Sequence, residues 1–481
     1  MQPAAVPYLS LPMAIAPYAL DALRAVVGPQ WVRTEYAELE TYAADGSPTH
    51  HTHPGAVVIP GSRDEVVGVL KVLAGFGIPF VARGAGTGLS GGAVASGSAV
   101  LIVLTRLTRI LEVDAPNRRA VVEPGVVNIQ LTAEAARFGL HYAPDPASQT
   151  VCTIGGNVAE NAGGPHCLKY GVTTDHILAL EVVLPDGAVV ELGSPGGEPW
   201  GPDLVGLFVG SEGTFGVATR ITVRLTPAAR VARTLLADFS SMRVAGEAVT
   251  RIITSGIVPA ALEMMDRNCV AAVEASIFRA GYPMDAAAVL LVELDGLDEP
   301  LVLADAAEVE KILRDTGAGE VRVGSDPEQR ARLWQGRKKA FGALGRISPD
   351  LMVQDAVVPR SSLPEILERV DAIAGEYGLS ICNVFHAGDG NLHPNINFDR
   401  RDSDLVRRVQ RASTAIMRAC IDAGGTITGE HGVGSDKLGY MPLVFDAEAL
   451  QAMRDVRRVF DPDERANPGK VLPAAGHGPL P

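Results

Sequence analysis

Apolar and polar positions keep two different rhythms along this chain, with the change near residue 228. In the first part, 56–60 (AVVIP) is a short unbroken apolar run and predicts a buried strand. Residues 62–77 place apolar side chains at helical spacing, open on Ser62 with Asp64 and Glu65 in the first turn, and stop at Gly77; together these predict a helix. Further strands are expected at 78–83, 100–104, 118–126 and 217–227, the last ended by Pro227, and an amphipathic helix at 129–139 ended by Gly139. Residues 176–192 predict a hairpin turning on Pro185-Asp186-Gly187. Beyond 228, helices such as 245–256 alternate with strands such as 287–296. The division that follows is an N-terminal helical segment (1–50), a first domain (51–228), a second domain (229–424) and a C-terminal segment (425–481), with no internal repeat.

Two stretches carry loop chemistry. Residues 144–171 are rich in Gly, Asn, Pro and Ser and are expected to be a loop without secondary structure; 381–434 is a second stretch of loop chemistry. Irregular segments this long inside a compact domain usually carry function.

At 481 residues the chain exceeds one ordinary hydrophobic core. A formal charge of −14 leaves no basic stripe for phosphate neutralisation and argues against nucleic acid as a partner. Cys152, Cys167, Cys269, Cys382 and Cys420 form no C-x-x-C pair, which disfavours a disulfide scaffold, a zinc ribbon or an iron–sulfur site and points to a reducing compartment. The N-terminus has four prolines in its first twenty residues and lacks a basic opening, so it does not read as a signal peptide, and no apolar run is long enough to span a bilayer.

The glycine loops carry the first chemistry. Residues 82–92 (ARGAGTGLSGG) contain Gly86-x-Gly88-x-x-Gly91 after a strand, but a turn and a strand follow where a dinucleotide fold needs a helix N-terminus. A nicotinamide cofactor is therefore disfavoured, and a nest of backbone N–H groups around an anion is the better reading. Residues 144–149 (PDPASQ), 153–164 (TIGGNVAENAGG) and 206–219 (GLFVGSEGTFGVAT) add main-chain donors and small polar side chains.

Histidines carry the second. Residues 386–394 (HAGDGNLHP) set His386 and His393 on either side of an Asp-Gly turn, which lets both rings face one side; 425–434 (GTITGEHGVG) adds Glu430 and His431 between glycines. Two His and a carboxylate make a three-ligand metal site with positions left open for substrate. Sequence neighbours cannot easily share one ion, so Glu430 is assigned to the metal and His431 to a general base. The tract 49–54 (THHTHP) is expected to be a surface loop.

In their order along the chain, these motifs resemble the vanillyl-alcohol-oxidase-type (PCMH-type) FAD-linked oxidoreductases, in the D-2-hydroxy-acid dehydrogenase branch, over about residues 30–472. The resemblance implies an α+β fold: a two-part FAD-binding domain, an α+β cap for substrate, and a C-terminal segment returning to the FAD domain. It implies that Arg83, Gly84, Ala85, Gly86, Thr87, Gly88, Leu89 and Ser90 hold the FAD pyrophosphate. Pro144, Asp145, Ser148, Thr153, Gly155, Gly156, Asn157, Asn161 and Gly163 would line the cofactor, with Glu212, Gly213, Gly216 and Asn467 completing the site. The first loop has Leu89 and no His, and with only His166 and Cys167 nearby the FAD is expected to be non-covalent. By resemblance Arg337 takes the substrate carboxylate and Asn395 is a further substrate contact, while His386, His393 and Glu430 hold a divalent cation (Zn, or Mn/Fe). The implied activity is oxidation of glycolate or D-lactate, with a stand-alone D-lactate or D-2-hydroxyglutarate dehydrogenase as the alternative. A non-catalytic flavin-fold subunit would lack the His cluster. Implied partners are an iron–sulfur subunit and a second flavin-fold subunit, in the cytoplasm, with any contact to the inner membrane made through them.

Overall fold

The computed structural model describes residues 15–47, 49–197 and 201–474. Strands Ala56–Val58, Val100–Val103 and Phe80–Arg83 run parallel in that order, with Val32–Arg33 antiparallel at the edge. Parallel pairing needs a crossover, and the helix Arg63–Phe76 supplies it, capped by Ser62 at the start and by Gly77 at φ +63° at the end. Val66, Val69, Leu70 and Leu73 bury its inner stripe against the sheet and the helix Pro17–Val27. A second, antiparallel sheet is ordered Ile110–Asp114, Arg119–Val122, Val217–Arg224, Ile177–Val183, Val189–Gly193. Its last two strands are the expected hairpin, paired from Ala179 opposite Gly193 to Val183 opposite Val189.

The reading of 144–171 as wholly irregular is corrected. A helix spans Ile154–Glu160, opened by Thr153, whose Oγ1 accepts from Gly156 N, and closed by Asn161 at φ +53°. A short turn of helix follows at Cys167–Tyr170. Gly155 and Gly156 are poor helix formers and hide the element from pattern reading. Gly155 is required there by packing, since a Cβ would lie 2.5 Å from Pro124 Cβ.

The second half forms a nine-stranded antiparallel sheet centred on Val231–Phe239, Ala288–Gly296, Ala261–Asp266 and Ile381–His386. Helices Met242–Thr254, Glu299–Thr316, Leu363–Tyr377 and Ser403–Asp422 pack on one face; Arg267–Glu274 and Pro327–Leu344 pack on the other. The C-terminal segment is divided between the two halves. Ile427, Val433, Tyr440, Met441 and Leu450 join the cap core, whereas Ala466 joins the core of the parallel sheet, bridged to Phe80.

Candidate active site

A cavity of about 520 Å³ runs between the two halves. Its walls include Ala85, Gly86, Thr87, Gly88, Leu89, Ser148, Thr153, Gly155, Gly156, Asn157, Gly163, Glu212, Gly213 and Gly216 from one side. From the other come Arg337, His386, His393, Glu430 and His431. Residues at least 121 positions apart in sequence (Gly216 and Arg337 being the nearest) thus meet on one surface.

Eight of the singled-out residues lie behind this wall. Arg83 donates to the carbonyls of Tyr42, Ala44 and Ala93, tying the first glycine loop to the N-terminal segment. Gly84 abuts Thr153, and the Ser90 carbonyl accepts from Ser435 N and Asp436 N. Pro144 accepts from Asn128, Asp145 holds the His166 ring at 2.6 Å, and Asn161 caps its helix. Asn467 donates to the carbonyls of Gly92 and Glu212. Asn395 is fully buried, donating to the carbonyls of Cys382 and His393; the structure does not bring it to the cavity wall.

The first wall suits a flavin dinucleotide. No helix follows Gly91, as expected, so the loop 84–92 offers backbone rather than a helix end. Both polar atoms of the Asn157 side chain are buried on this wall without a partner, and such groups are costly unless a ligand satisfies them. Two acids sit here that the sequence reading undervalued or missed. Burial pushes Glu212 and Glu160 above the usual carboxylate range, Glu160 also through the charge of Glu212. Glu212 accepts from Val433 N (2.6 Å) and Gly434 N (2.8 Å), reaching across to the loop that carries Glu430.

The second wall suits a cation. His386 Nε2 and His393 Nε2 lie 3.3 and 3.1 Å from Glu430 Oε1, with His431 Nε2 at 3.8 Å. The other nitrogen of each ligand candidate is engaged: His386 Nδ1 by Glu263 at 2.7 Å, His393 Nδ1 by the Gln354 carbonyl at 3.0 Å. That pattern turns both Nε2 atoms to the gap, as metal-binding imidazoles require. Burial opposes a charge on His386, but Glu263 and Glu430 outweigh it and raise its pKa well above the ordinary range, so the gap favours positive charge. A second grouping, Asp355 with His393 and His431, is also close enough for an ion. Asp355 is already occupied, however, by Gly429 N, Glu430 N, His431 N, Thr428 Oγ1 and Lys437 Nζ. With His393 offering only Nε2, the His386–His393–Glu430 set is the one free to ligate. Burial and the nearby His393 lower the His431 pKa to about 4 against the pull of Asp355 and Glu430, leaving the ring neutral.

Arg337 is inward-facing on Pro327–Leu344, 5% exposed, while Arg332, Lys338 and Lys339 face out. Its Nε and one terminal nitrogen reach Glu263 Oε2, each at 2.6 Å. Glu263 and Asp355 were not singled out in the sequence; the signal available was one acid inside a run of apolar strand residues. The 49–54 tract is only partly a free loop: His51 and His53 bond Glu40, and His50 reaches Asp436 on the cavity wall.

Comparison with known proteins agrees with this geometry. Residues 54–193 match the family model of the FAD binding domain, and residues 228–471 that of the FAD linked oxidases, C-terminal domain. The chain is 46% identical to Glycolate oxidase subunit GlcD of Escherichia coli (strain K12) over 91% of this chain and 87% of that relative. It is 36% identical to a D-lactate dehydrogenase of Archaeoglobus fulgidus over 86% of this chain and 91% of that one. In fold it is similar to p-cresol methylhydroxylase, with a TM-score of 0.80 at 19% identity, covering 96% of this chain and 98% of the other.

Proposed function

The chain belongs to the FAD-linked oxidases, and on that footing we propose that it oxidises glycolate or D-lactate to the 2-oxo acid with non-covalently held FAD. The observation that carries this reading is the meeting, on one cavity, of the glycine-lined wall with His386, His393, Glu430 and Arg337. Bound FAD supplies the hydride acceptor at its N5. A divalent cation (Zn, or Mn/Fe) held by His386, His393 and Glu430 supplies the Lewis acidity that lowers the substrate hydroxyl pKa.

The chain's own groups do the rest. The face of Arg337 not committed to Glu263 receives the substrate carboxylate, for which a planar guanidinium is suited. His431 takes the hydroxyl proton. The glycine loops place main-chain N–H groups where a Cβ would intrude, and Asn157 offers its unpartnered amide to the cofactor. For a covalent flavin link the nearest groups are unsuited: His166 is held by Asp145, and burial raises the Cys167 thiol pKa, keeping it protonated. All five cysteines are free and four are buried, so passing electrons onward falls to a partner; an iron–sulfur subunit and a second flavin-fold subunit fit that need. Among the described residues no helix is long and apolar enough to cross a membrane, and a cytoplasmic site with membrane contact through partners is proposed.

The test is anaerobic mixing of the protein with glycolate, D-lactate, L-lactate and D-2-hydroxyglutarate while flavin absorbance is followed. Bleaching by glycolate or D-lactate is expected. Preferential bleaching by L-lactate would overturn the substrate reading.

A further inference from the structure

Glu263 stands out as a charge with no route to solvent. It lies midway along the strand Ala261–Asp266, with apolar Leu262, Met264 and Met265 around it, and is 0% exposed. A carboxylate so placed is costly unless both oxygens are matched by charged donors. Here they are matched by different functional residues. The register sets Glu263 opposite His386 on the neighbouring strand, and Oε1 lies 2.7 Å from His386 Nδ1. Oε2 takes Nε and a terminal nitrogen of Arg337 at 2.6 Å, from the helix Pro327–Leu344, which packs on the same face of the sheet.

We propose that Glu263 is a positioning residue that fixes the cation ligand and the substrate-binding arginine to one another: one oxygen holds His386 with Nε2 toward the cation, the other sets the direction of the Arg337 fork. This rests on the metal and substrate roles proposed above. A hydroxy acid bound to both cation and guanidinium needs those two groups at a constant separation. Two independent anchors would let it vary; one rigid carboxylate on a central strand does not. Arg337 is held with part of its guanidinium occupied, which leaves the remaining N–H groups for the incoming carboxylate.

The experiment uses the FAD-loaded protein and Glu263→Gln. Glutamine offers one acceptor oxygen and one amide donor. The permanently charged Arg337 keeps the oxygen, since charge-assisted bonds are the stronger ones. The amide NH₂ then faces His386, whose Nδ1 must accept, so that the proton moves to Nε2 and blocks the cation. Zn(II) and Mn(II) affinities, measured by chelator competition, are expected to fall about 10–100-fold. FAD content is expected to stay at the wild-type level, and KM at saturating metal to change far less than the metal affinity. A residue that merely packs the strand would instead lower the melting temperature without separating these readouts. Glu263→Asp is the second variant, whose shortened arm cannot reach both partners and should raise KM as well as weaken the metal. If folded Glu263→Gln holds metal within twofold of wild type, the proposal is wrong. If wild type itself binds neither ion, the metal reading fails first and the proposal falls with it. Should Glu263→Gln not fold, wild-type metal affinity and KM in Glu263→Asp overturn it.

Discussion

Replacing His431 by alanine, beside His386→Ala and His393→Ala, separates base from ligand. Three donors around a tetrahedral ion at about 2.1 Å lie about 3.4 Å from each other. His386 Nε2 and His393 Nε2, at 3.3 and 3.1 Å from Glu430 Oε1, already meet that spacing, whereas His431 Nε2 stands off at 3.8 Å. His431 is instead stacked on His393, ring centroids 4.9 Å apart and planes 12° from parallel, with its backbone N–H on Asp355. Its removal should therefore leave metal and FAD in place and cost the general-base contribution, about 10²–10⁴-fold in flavin reduction or roughly 3–5 kcal/mol of barrier. His386→Ala and His393→Ala should lose metal and reduction together while keeping FAD, because both belong to the cap half. Metal analysis, flavin absorbance and anaerobic stopped-flow reduction of the three variants decide it. Loss of metal from His431→Ala would make His431 a ligand and put the base elsewhere. Unchanged metal content in all three would make the cluster structural.

Acid or heat should release FAD into the supernatant; flavin remaining with the precipitated protein would refute non-covalent binding. Glu293 gives a pH prediction. Burial pushes its pKa up, but hydrogen bonds from His166 and Thr234 and the charge of Arg330 outweigh that and bring it from 4.5 to about 2. A depressed carboxylate contributes stability present above the unfolded pKa and lost as pH falls through the folded one, here between about pH 4.5 and 2, and worth on the order of 3 kcal/mol. Glu293→Gln should melt lower than wild type at pH 7 and converge with it toward pH 2; parallel melting curves across that range would contradict the assignment.

Much of this was legible in the sequence where the signal is local. Ser62 and Gly77 bound a helix because capping and left-handed closure are properties of single residues. The turn and strand after Gly91 spoke against a nicotinamide fold because a helix there would show its own spacing. The helix Ile154–Glu160 was not legible, since its two glycines lower helix propensity and one of them, Gly155, answers to Pro124, a distant neighbour. Asn395 was assigned by motif adjacency to His393, yet its Nδ2 is spent on two carbonyls behind the wall. Glu263 and Asp355 acquire their roles only from partners brought in by the fold: Glu263 through His386 and Arg337, Asp355 through Lys437 and the 428–431 backbone.

Charged groups join the two halves at the site. Glu212 of the flavin side accepts from Val433 and Gly434, while Asp355 of the cap side accepts from Gly429, Glu430 and His431. The loop bearing Glu430 and His431 is thus pinned from both halves within six residues. Lys169 and Tyr170 on Asp295, and His166 between Asp145 and Glu293, repeat the device along the seam. Such contacts are directional, and a carboxylate bonded to several N–H groups tolerates little displacement. A hydride transfer demands this, because a shift of about 1 Å between donor and acceptor is enough to cost roughly two orders of magnitude in rate. An interface of aliphatic side chains would hold the halves together without fixing that register.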